Sequence, residues 1–252
     1  MGPLEGKNIL ITRASSQSSS ITREIEQKGG RVIHVPLLQF KLKDSVENKH
    51  ILTKLHDFSW VFLTSSNGVK FFFELLSLYD VKIPRSCKWA VVGEKTAETL
   101  ESYGVKPDFI PTNYRAVAMV EQFFERVGEP GKILFVRGNR SRKVLPHAFL
   151  QQQVFFQTVT VYDTLVVDDE DVLIRKLDQL DALTFTSPST VEAFMQRIEK
   201  RQEEALHIPC FCIGPTTGEA AKSYGFQTVY IPEVYTIKTM IDKMAAHFDK
   251  RG

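Results

Sequence analysis

Residues Gly214–Pro232 read GPTTGEAAKSYGFQTVYIP, and residues Gly93–Pro111 read GEKTAETLESYGVKPDFIP. The offset is constant at 121 (214 − 93), and eight of the nineteen aligned positions are identical: Gly, Thr, Glu, Ser, Tyr, Gly, Ile and Pro. Two further blocks keep step with this one. Thr64-Ser65 in VFLTSSNGVKFF recurs as Thr186-Ser187 in LTFTSPSTVEAF, 122 residues on (186 − 64), with Val69/Val191 and Phe72/Phe194 in register. Ile9-Leu10 and Arg13 in ILITR recur as Ile133-Leu134 and Arg137 in ILFVR, 124 residues on (133 − 9). Three matched blocks in one order establish an internal duplication.

Every block has the same grammar. A short run rich in Val, Ile and Phe reads as a strand buried on both faces. A polar turn with Ser, Thr, Asn or Gly follows, then a segment of helical periodicity. Asn113 is a candidate cap for one such helix, in which Val120, Phe123, Phe124 and Val127 fall at i, i+3, i+4 and i+7. Gly104 and Gly225 stand where a helix C-terminus favours a left-handed residue. Strands alternating with helices imply parallel sheets covered on both faces. The expected fold is α/β, with two similar lobes, each a parallel β-sheet flanked by helices.

Two extended, β-branched stretches break the alternation, PLLQFKLKD (36–44) and FQTVTVYDTLVVDD (156–169). Each is either one long edge strand or half of a pair of strands linking the lobes. On the second reading, lobe 1 is discontinuous, 1–35 plus 168–252, and lobe 2 is 44–155. Residues 36–43 and 156–167 are then the interlobe linker strands.

Hydrophobic residues make up 43% of the 252 residues and charged ones 25%, the balance of a globular domain. A net charge of +2 gives no case for nucleic acid, so an anionic ligand must be met by local basic groups. No run of eighteen apolar residues occurs, and no cleavable leader pattern opens the chain, so no membrane partner and a cytoplasmic location are expected. The absence of a coiled-coil pattern makes a monomer the expectation. Cys87, Cys210 and Cys212 are too few for a disulfide framework, and alternation puts Cys210 and Cys212 on one strand face as small core hydrophobes. Six scattered histidines form no His-x-x-x-His pair, so no metal site is expected.

In parallel α/β sheets, ligands bind beyond the carboxyl ends of the strands. The loops there are TRASSQSSS (12–20), TSSNG (64–68), GEKT (93–96), RGNRSRK (137–143), TSPST (186–190) and GPTT (214–217). Each offers backbone N–H groups at the positive end of a helix dipole, a natural anion site. Ordinary N-capping by Ser and Thr accounts for any one loop equally well. Arg137, Arg140, Arg142 and Lys143 crowd a helix start, where cations oppose the dipole; an acidic ligand accounts for that placement, as solvated charge also does. No dinucleotide, Walker or nucleophile-elbow fingerprint is present. The acidic run Asp168–Asp171 reads as a capping turn. What remains is a cofactor-free site of hydroxyls, amides and arginines. Two lobes closing on an acidic metabolite without catalysis would use the same parts.

The ordered set ILITR, VFLTSSNGV, VVGEKTAETL, ILFVRGNRSRKVL, VTVYDT, LTFTSPSTVEAF and CIGPTTGEAAKSYGF resembles the uroporphyrinogen-III synthase family over nearly the whole chain. The resemblance implies two α/β lobes joined by a two-stranded linker. It also implies a lyase of porphyrin (haem) biosynthesis that uses neither metal nor cofactor. Its substrate is hydroxymethylbilane, a linear tetrapyrrole with eight carboxylates. The family closes this chain to uroporphyrinogen III by loss of the terminal hydroxyl as water, attack to a spiro intermediate, and re-closure with ring D inverted. Without enzyme the chain closes to the type I isomer. The family tyrosine of the VYxT pattern corresponds to Tyr162, the catalytic candidate, since a phenol keeps its proton at neutral pH. Substrate binding falls by the same correspondence to Arg13, Ser65, Ser66, Asn67, Thr96, Arg137, Gly138, Arg142, Ser187, Ser189, Thr216 and Thr217. Ser141 and Gln153 stand where many members have glycine.

Overall fold

Trp60-Val-Phe-Leu63 and Ala182-Leu-Thr-Phe185 carry no polar alternation, and each is buried at every position. Strands of this kind need cover on both faces, which helices of a parallel α/β arrangement provide. The computed structural model describes residues 2–14, 18–112, 116–141, 143–167 and 170–249. Asn113, Arg142, Asp168 and Asp169, singled out above, lie outside the described residues.

The chain begins β1 (Asn8–Ile11), α1 (Ser19–Glu26), β2 (Arg31–His34), β3 (Leu38–Leu42) and α2 (Val46–Leu52). It continues β4 (Trp60–Leu63), α3 (Ser66–Leu78), β5 (Lys88–Val91), α4 (Glu94–Glu101) and α5 (Ala116–Val127). The second half adds β6 (Ile133–Gly138), α6 (Val144–Gln151), β7 (Phe156–Val166) and α7 (Glu170–Lys176). Last come β8 (Ala182–Phe185), α8 (Pro188–Arg197), α9 (Gln202–Leu206), β9 (Cys210–Cys212), α10 (Pro215–Ser223), β10 (Val229–Tyr230) and α11 (Ile237–Asp249).

These elements form two units, one of residues 1–39 and 165–252, the other of residues 40–164. The first sheet has the order β10-β9-β8-β1-β2, with every pairing parallel. The second has the order β3-β7-β6-β4-β5. Aligned by the sequence duplication, β9 answers to β5, β8 to β4, β1 to β6 and β2 to β7. A single parallel bridge from Ala90 to Phe109 stands where β10 stands in the first sheet. Both sheets therefore share one strand order. Each is assembled from the front of one repeat and the back of the other.

Within the second sheet, β7 pairs in parallel with β6 from Phe156 to Tyr162, so over that length the expected linker strand is a full member of the sheet. Lys43 N–H donates to Val161 O at 2.9 Å, and Val167 N–H to Leu37 O at 2.9 Å. As one number rises the other falls, so β3 and β7 run antiparallel.

The first unit has two cores, one around Phe185, Phe194 and Phe226 and one around Ile9, Phe211 and Met240. The second unit has one around Phe72, Trp89 and Val136 and one around Phe62, Phe123 and Phe149. Val120 and Phe123 are buried on α5, with Phe124 and Val127 packed alongside, as the periodicity requires. Gly104 and Gly225 take the left-handed conformation after their helices (φ 78° and 93°). Cys210 and Cys212 are fully buried in β9, and a hydrogen bond with Cys212, reinforced by burial, raises the Cys210 thiol pKa far above its ordinary range.

Candidate functional site

In the first sheet the chain leaves β1 towards β2 on one side, and β8 towards β9 on the other. In the second it leaves β6 towards β7 and β4 towards β5. Each sheet thus has a topological switch point, between β1 and β8 or between β6 and β4, where adjacent loops diverge and leave a crevice. The described residues at these points are 12–14 and 18 with 186–189 in the first unit, and 137–141 and 143 with 64–67 in the second.

In the second unit, Ser65, Ser66, Asn67, Thr96, Arg137, Gly138 and Tyr162 all lie at the carboxyl end of the sheet. Ser65 caps α3 by accepting the Gly68 N–H at 3.0 Å. Ser66 Oγ donates to Lys95 O at 3.1 Å, which ties the start of α3 to the start of α4. Arg137 folds onto its own loop: Nε donates to Gly138 O at 3.1 Å, and Nη2 to Asn139 O and Ser141 O at 3.3 and 3.1 Å. Three of its five donors shape the loop, and its Nη1 makes no hydrogen bond among the described residues.

Tyr162 lies on β7, 8% exposed as a residue, with its ring stacked on Phe71 at 5.2 Å and edge-on to Phe40 at 5.6 Å. A third side of the ring lies against Gly138. A Cβ on that glycine would meet Tyr162 Cζ at 2.4 Å and Oη at 2.7 Å, so Gly138 holds its place by having none. The strand register slips between Arg137 and Gly138, and Asn139 fastens the displaced loop to β7. Its N–H donates to Tyr162 O at 3.1 Å, and its Oδ1 accepts the Thr164 N–H at 2.9 Å. The Tyr162 hydroxyl has no hydrogen-bond partner among the described residues.

In the first unit, Arg13, Ser187, Ser189, Thr216 and Thr217 occupy the equivalent end of the sheet. Burial lowers the Arg13 guanidinium pKa from its ordinary value. His34, at the end of β2, bonds through Nε2 to Arg13 O at 2.8 Å; the carbonyl only accepts, so Nε2 carries the proton. Thr12 and Thr184 cross-link β1 and β8 through hydroxyl-to-carbonyl bonds of 3.0 and 2.6 Å. Ser187 caps α8 in a reciprocal arrangement with Thr190, and its Oγ lies 3.0 Å from that of Ser189.

The duplicated loops thus fall into two kinds. The Thr-Ser turns before α3 and α8 satisfy their helix starts with their own side chains. The Gly-x-x-Thr turns before α4 and α10 do not. Their caps are Gly93 and Gly214, with no side-chain acceptor for the first-turn amides. Thr96 and Thr217, equivalent by the offset of 121 (217 − 96), are 5% and 2% exposed. Neither hydroxyl has a hydrogen-bond partner among the described residues. Thr216 beside it is exposed.

Asn139, Phe71 and His34 were not legible as site residues in the sequence. Asn139 and Phe71 act through the register slip and the packing of α3, which no local spacing encodes. His34 carried a weak signal, as a polar residue ending a parallel strand.

The profile described as "Uroporphyrinogen-III synthase HemD" matches residues 19–242. A porphyrin biosynthesis protein HemD of Ruminiclostridium josui is 29% identical over 248 residues, 96% of this chain; the chain spans about half, 49%, of that longer relative. A uroporphyrinogen-III synthase of Synechococcus elongatus is 31% identical over 202 residues, 77% of this chain and 75% of its own length. In structure, a mutant uroporphyrinogen III synthase of Thermus thermophilus superposes with a TM-score of 0.68 at 15% identity, covering 98% of this chain and all of that one, and shows the same fold. With the duplicated loops gathered at the switch points and the match running through most of its length, the chain belongs to the uroporphyrinogen-III synthase family.

Proposed function

We propose that this chain cyclises hydroxymethylbilane to uroporphyrinogen III, inverting ring D and releasing water, as a cytoplasmic monomer. The observation that carries the reading is the pair of uncapped helix starts at α4 and α10, each with a buried threonine whose hydroxyl has no hydrogen-bond partner among the described residues. A helix start of this kind favours anions, and repetition of the motif suits a substrate with many carboxylates. Thr96, Thr216 and Thr217 are proposed to bind those carboxylates together with neighbouring backbone amides. Ser65, Ser66, Asn67, Ser187 and Ser189 line the adjoining turns, and Arg13, Arg137 and Arg142 supply positive charge. Gly138 serves by admitting the Tyr162 ring.

Tyr162 is proposed as the proton donor to the departing hydroxyl. Two features support it: a ring fixed by Phe71, Phe40 and Gly138, and a phenol with no internal acceptor among the described residues. The first unit has no tyrosine near the end of β2, so this chemistry belongs to the second unit alone. The larger task is positioning, because the unassisted reaction already closes the ring, but to the type I isomer. Among the described residues, no helix is long and apolar enough to cross a membrane.

The deciding experiment supplies hydroxymethylbilane, oxidises the product and measures the ratio of type III to type I porphyrin. A large excess of type III is expected. A ratio equal to that of the protein-free reaction sinks the reading in favour of a binding protein.

A further inference from the structure

The repeat runs further than its opening blocks. Ile231-Pro232 and Tyr235 match Ile110-Pro111 and Tyr114 at the same offset of 121 (235 − 114), and so do Met240 and Met119 (240 − 119). Both methionines are fully buried, on α11 and α5, which supports the alignment in three dimensions. Tyr114 lies outside the described residues; Tyr235 does not.

Tyr235 follows β10, and Gly214 follows β9; these strands are parallel neighbours, so both residues lie at the carboxyl end of the first sheet. The Tyr235 side chain lies across Gly214, with Cγ 3.5 Å from the place a Cβ would take. It is 60% exposed, as is Val234 beside it. This exposure is not looseness of the backbone. Thr236 N–H and Thr239 Oγ1 both donate to Val234 O, at 2.9 and 2.5 Å, and Thr239 N–H donates to Thr236 Oγ1 at 3.2 Å.

Most other described tyrosines are engaged: Tyr79 with Asp44, Tyr103 on Phe73, Tyr162 on Phe71, and Tyr230 with Phe211 and His247. Tyr224 is 40% exposed, but it ends α10, at the far edge of the sheet. Tyr235 alone among them holds an open aromatic face against Gly214, the uncapped start of α10, the helix that also carries the buried Thr217. An ordered aromatic wall beside an anion-binding helix start suits a ring that carries carboxylates, as each pyrrole of the substrate does.

We propose that Tyr235 is a positioning residue whose ring stacks on one pyrrole of the linear tetrapyrrole while that pyrrole's carboxylate meets the start of α10. The proposal rests on the reading of the chain as a uroporphyrinogen-III synthase. Aromatic stacking of this kind changes affinity by about 3- to 10-fold.

Tyr235→Ala is therefore expected to raise KM for hydroxymethylbilane by about 3- to 10-fold with kcat nearly unchanged. The share of type I product should rise at low substrate, because uncaptured chain closes without the enzyme. Tyr235→Phe keeps the ring and should stay within about twofold of the parent on the same scale. Tyr235→Trp provides a direct probe, since Trp60 and Trp89 are both buried in the other unit. Its added emission should be quenched when hydroxymethylbilane is mixed in.

Unchanged KM in Tyr235→Ala, or an unquenched Tyr235→Trp, overturns the proposal. Equal losses in the Ala and Phe variants also overturn it, because the hydroxyl would then be the active group. Should Tyr235→Ala fail to fold, the Phe and Trp variants still decide. A parent protein that makes no excess of type III isomer fails on the underlying reading, whatever residue 235 does.

Discussion

Tyr162 joins two roles that usually conflict, a ring packed as tightly as a core residue and a hydroxyl bonded to nothing among the described residues. Removing the hydroxyl leaves the stack on Phe71 and the edge contact with Phe40 intact, so Tyr162→Phe is expected to unfold at the parent's denaturant midpoint. If the phenol donates a proton in the transition state, kcat should fall more than affinity. General-acid help is typically worth about 10²–10⁴-fold, and a smaller loss of about 10- to 10²-fold is expected here because the hydroxyl leaves an electron-rich pyrrole readily. The residual product should remain mostly type III. A variant with the parent's kcat would make Tyr162 a tether only.

Gly138 gives the complementary test. Its Cβ would meet the Tyr162 ring at 2.4 Å, and Phe71 and Phe40 stop the ring from yielding. Gly138→Ala is expected to destabilise the protein by about 1–3 kcal/mol. The same change made in a Tyr162→Ala background should be nearly neutral, and a urea double-mutant cycle measures that coupling. Additive losses would mean that some other neighbour excludes the side chain. The tyrosine itself was legible through the VYxT resemblance. Its bed was not, since the contact with Gly138 depends on a register slip between two strands.

At the scale of elements, most of the structure follows from local chemistry. Strands such as β4 and β8 are buried throughout, and the glycines after α4 and α10 close those helices as their positions require. Capping by Ser65 and Ser187 was equally readable, yet the sequence did not distinguish those satisfied turns from the open ones at Gly93 and Gly214. Both kinds combine small hydroxyl residues with a helix start, and only the bonds separate them.

The end of α6 is an exception to its own local rule. Gln153 takes φ 54°, the left-handed conformation that favours glycine. That conformation costs an ordinary residue about 1–2 kcal/mol. Glycine removes the cost but gives back about 0.5–1 kcal/mol in unfolded-chain entropy. Gln153→Gly is thus expected to stabilise the protein by about 0.5 kcal/mol, seen as a higher urea midpoint at constant slope. A lower midpoint would show that the Gln153 side chain supports the turn by contacts that outweigh its backbone strain.

At the scale of the whole molecule, the duplication is exchanged between units: β1 and β2 share a sheet with β8, β9 and β10, while β4 and β5 share one with β6 and β7. The repeat was visible in the sequence, but the exchange hung on the two stretches 36–44 and 156–169, whose extended character fits an edge strand as well as a crossing. Composition cannot choose between them because the choice is made by distant pairing, such as that of Lys43 with Val161.

The exchange has a consequence for stability. Each of the four cores draws its residues from one unit, and each unit therefore has the means to unfold as a block. Phe194 is fully buried in the first unit, edge-on to Phe185 at 5.4 Å and near Phe226 at 6.2 Å. Phe194→Ala removes a large side chain from that cluster, an expected loss of about 3–5 kcal/mol. Amide exchange is expected to speed in residues 1–39 together with 165–252, two segments far apart in sequence, while residues 40–164 keep their protection. Faster exchange confined to 165–252 would mean that β1 and β2 hold without the strands they pair with. Uniform acceleration throughout the chain would mean that the two units unfold as one.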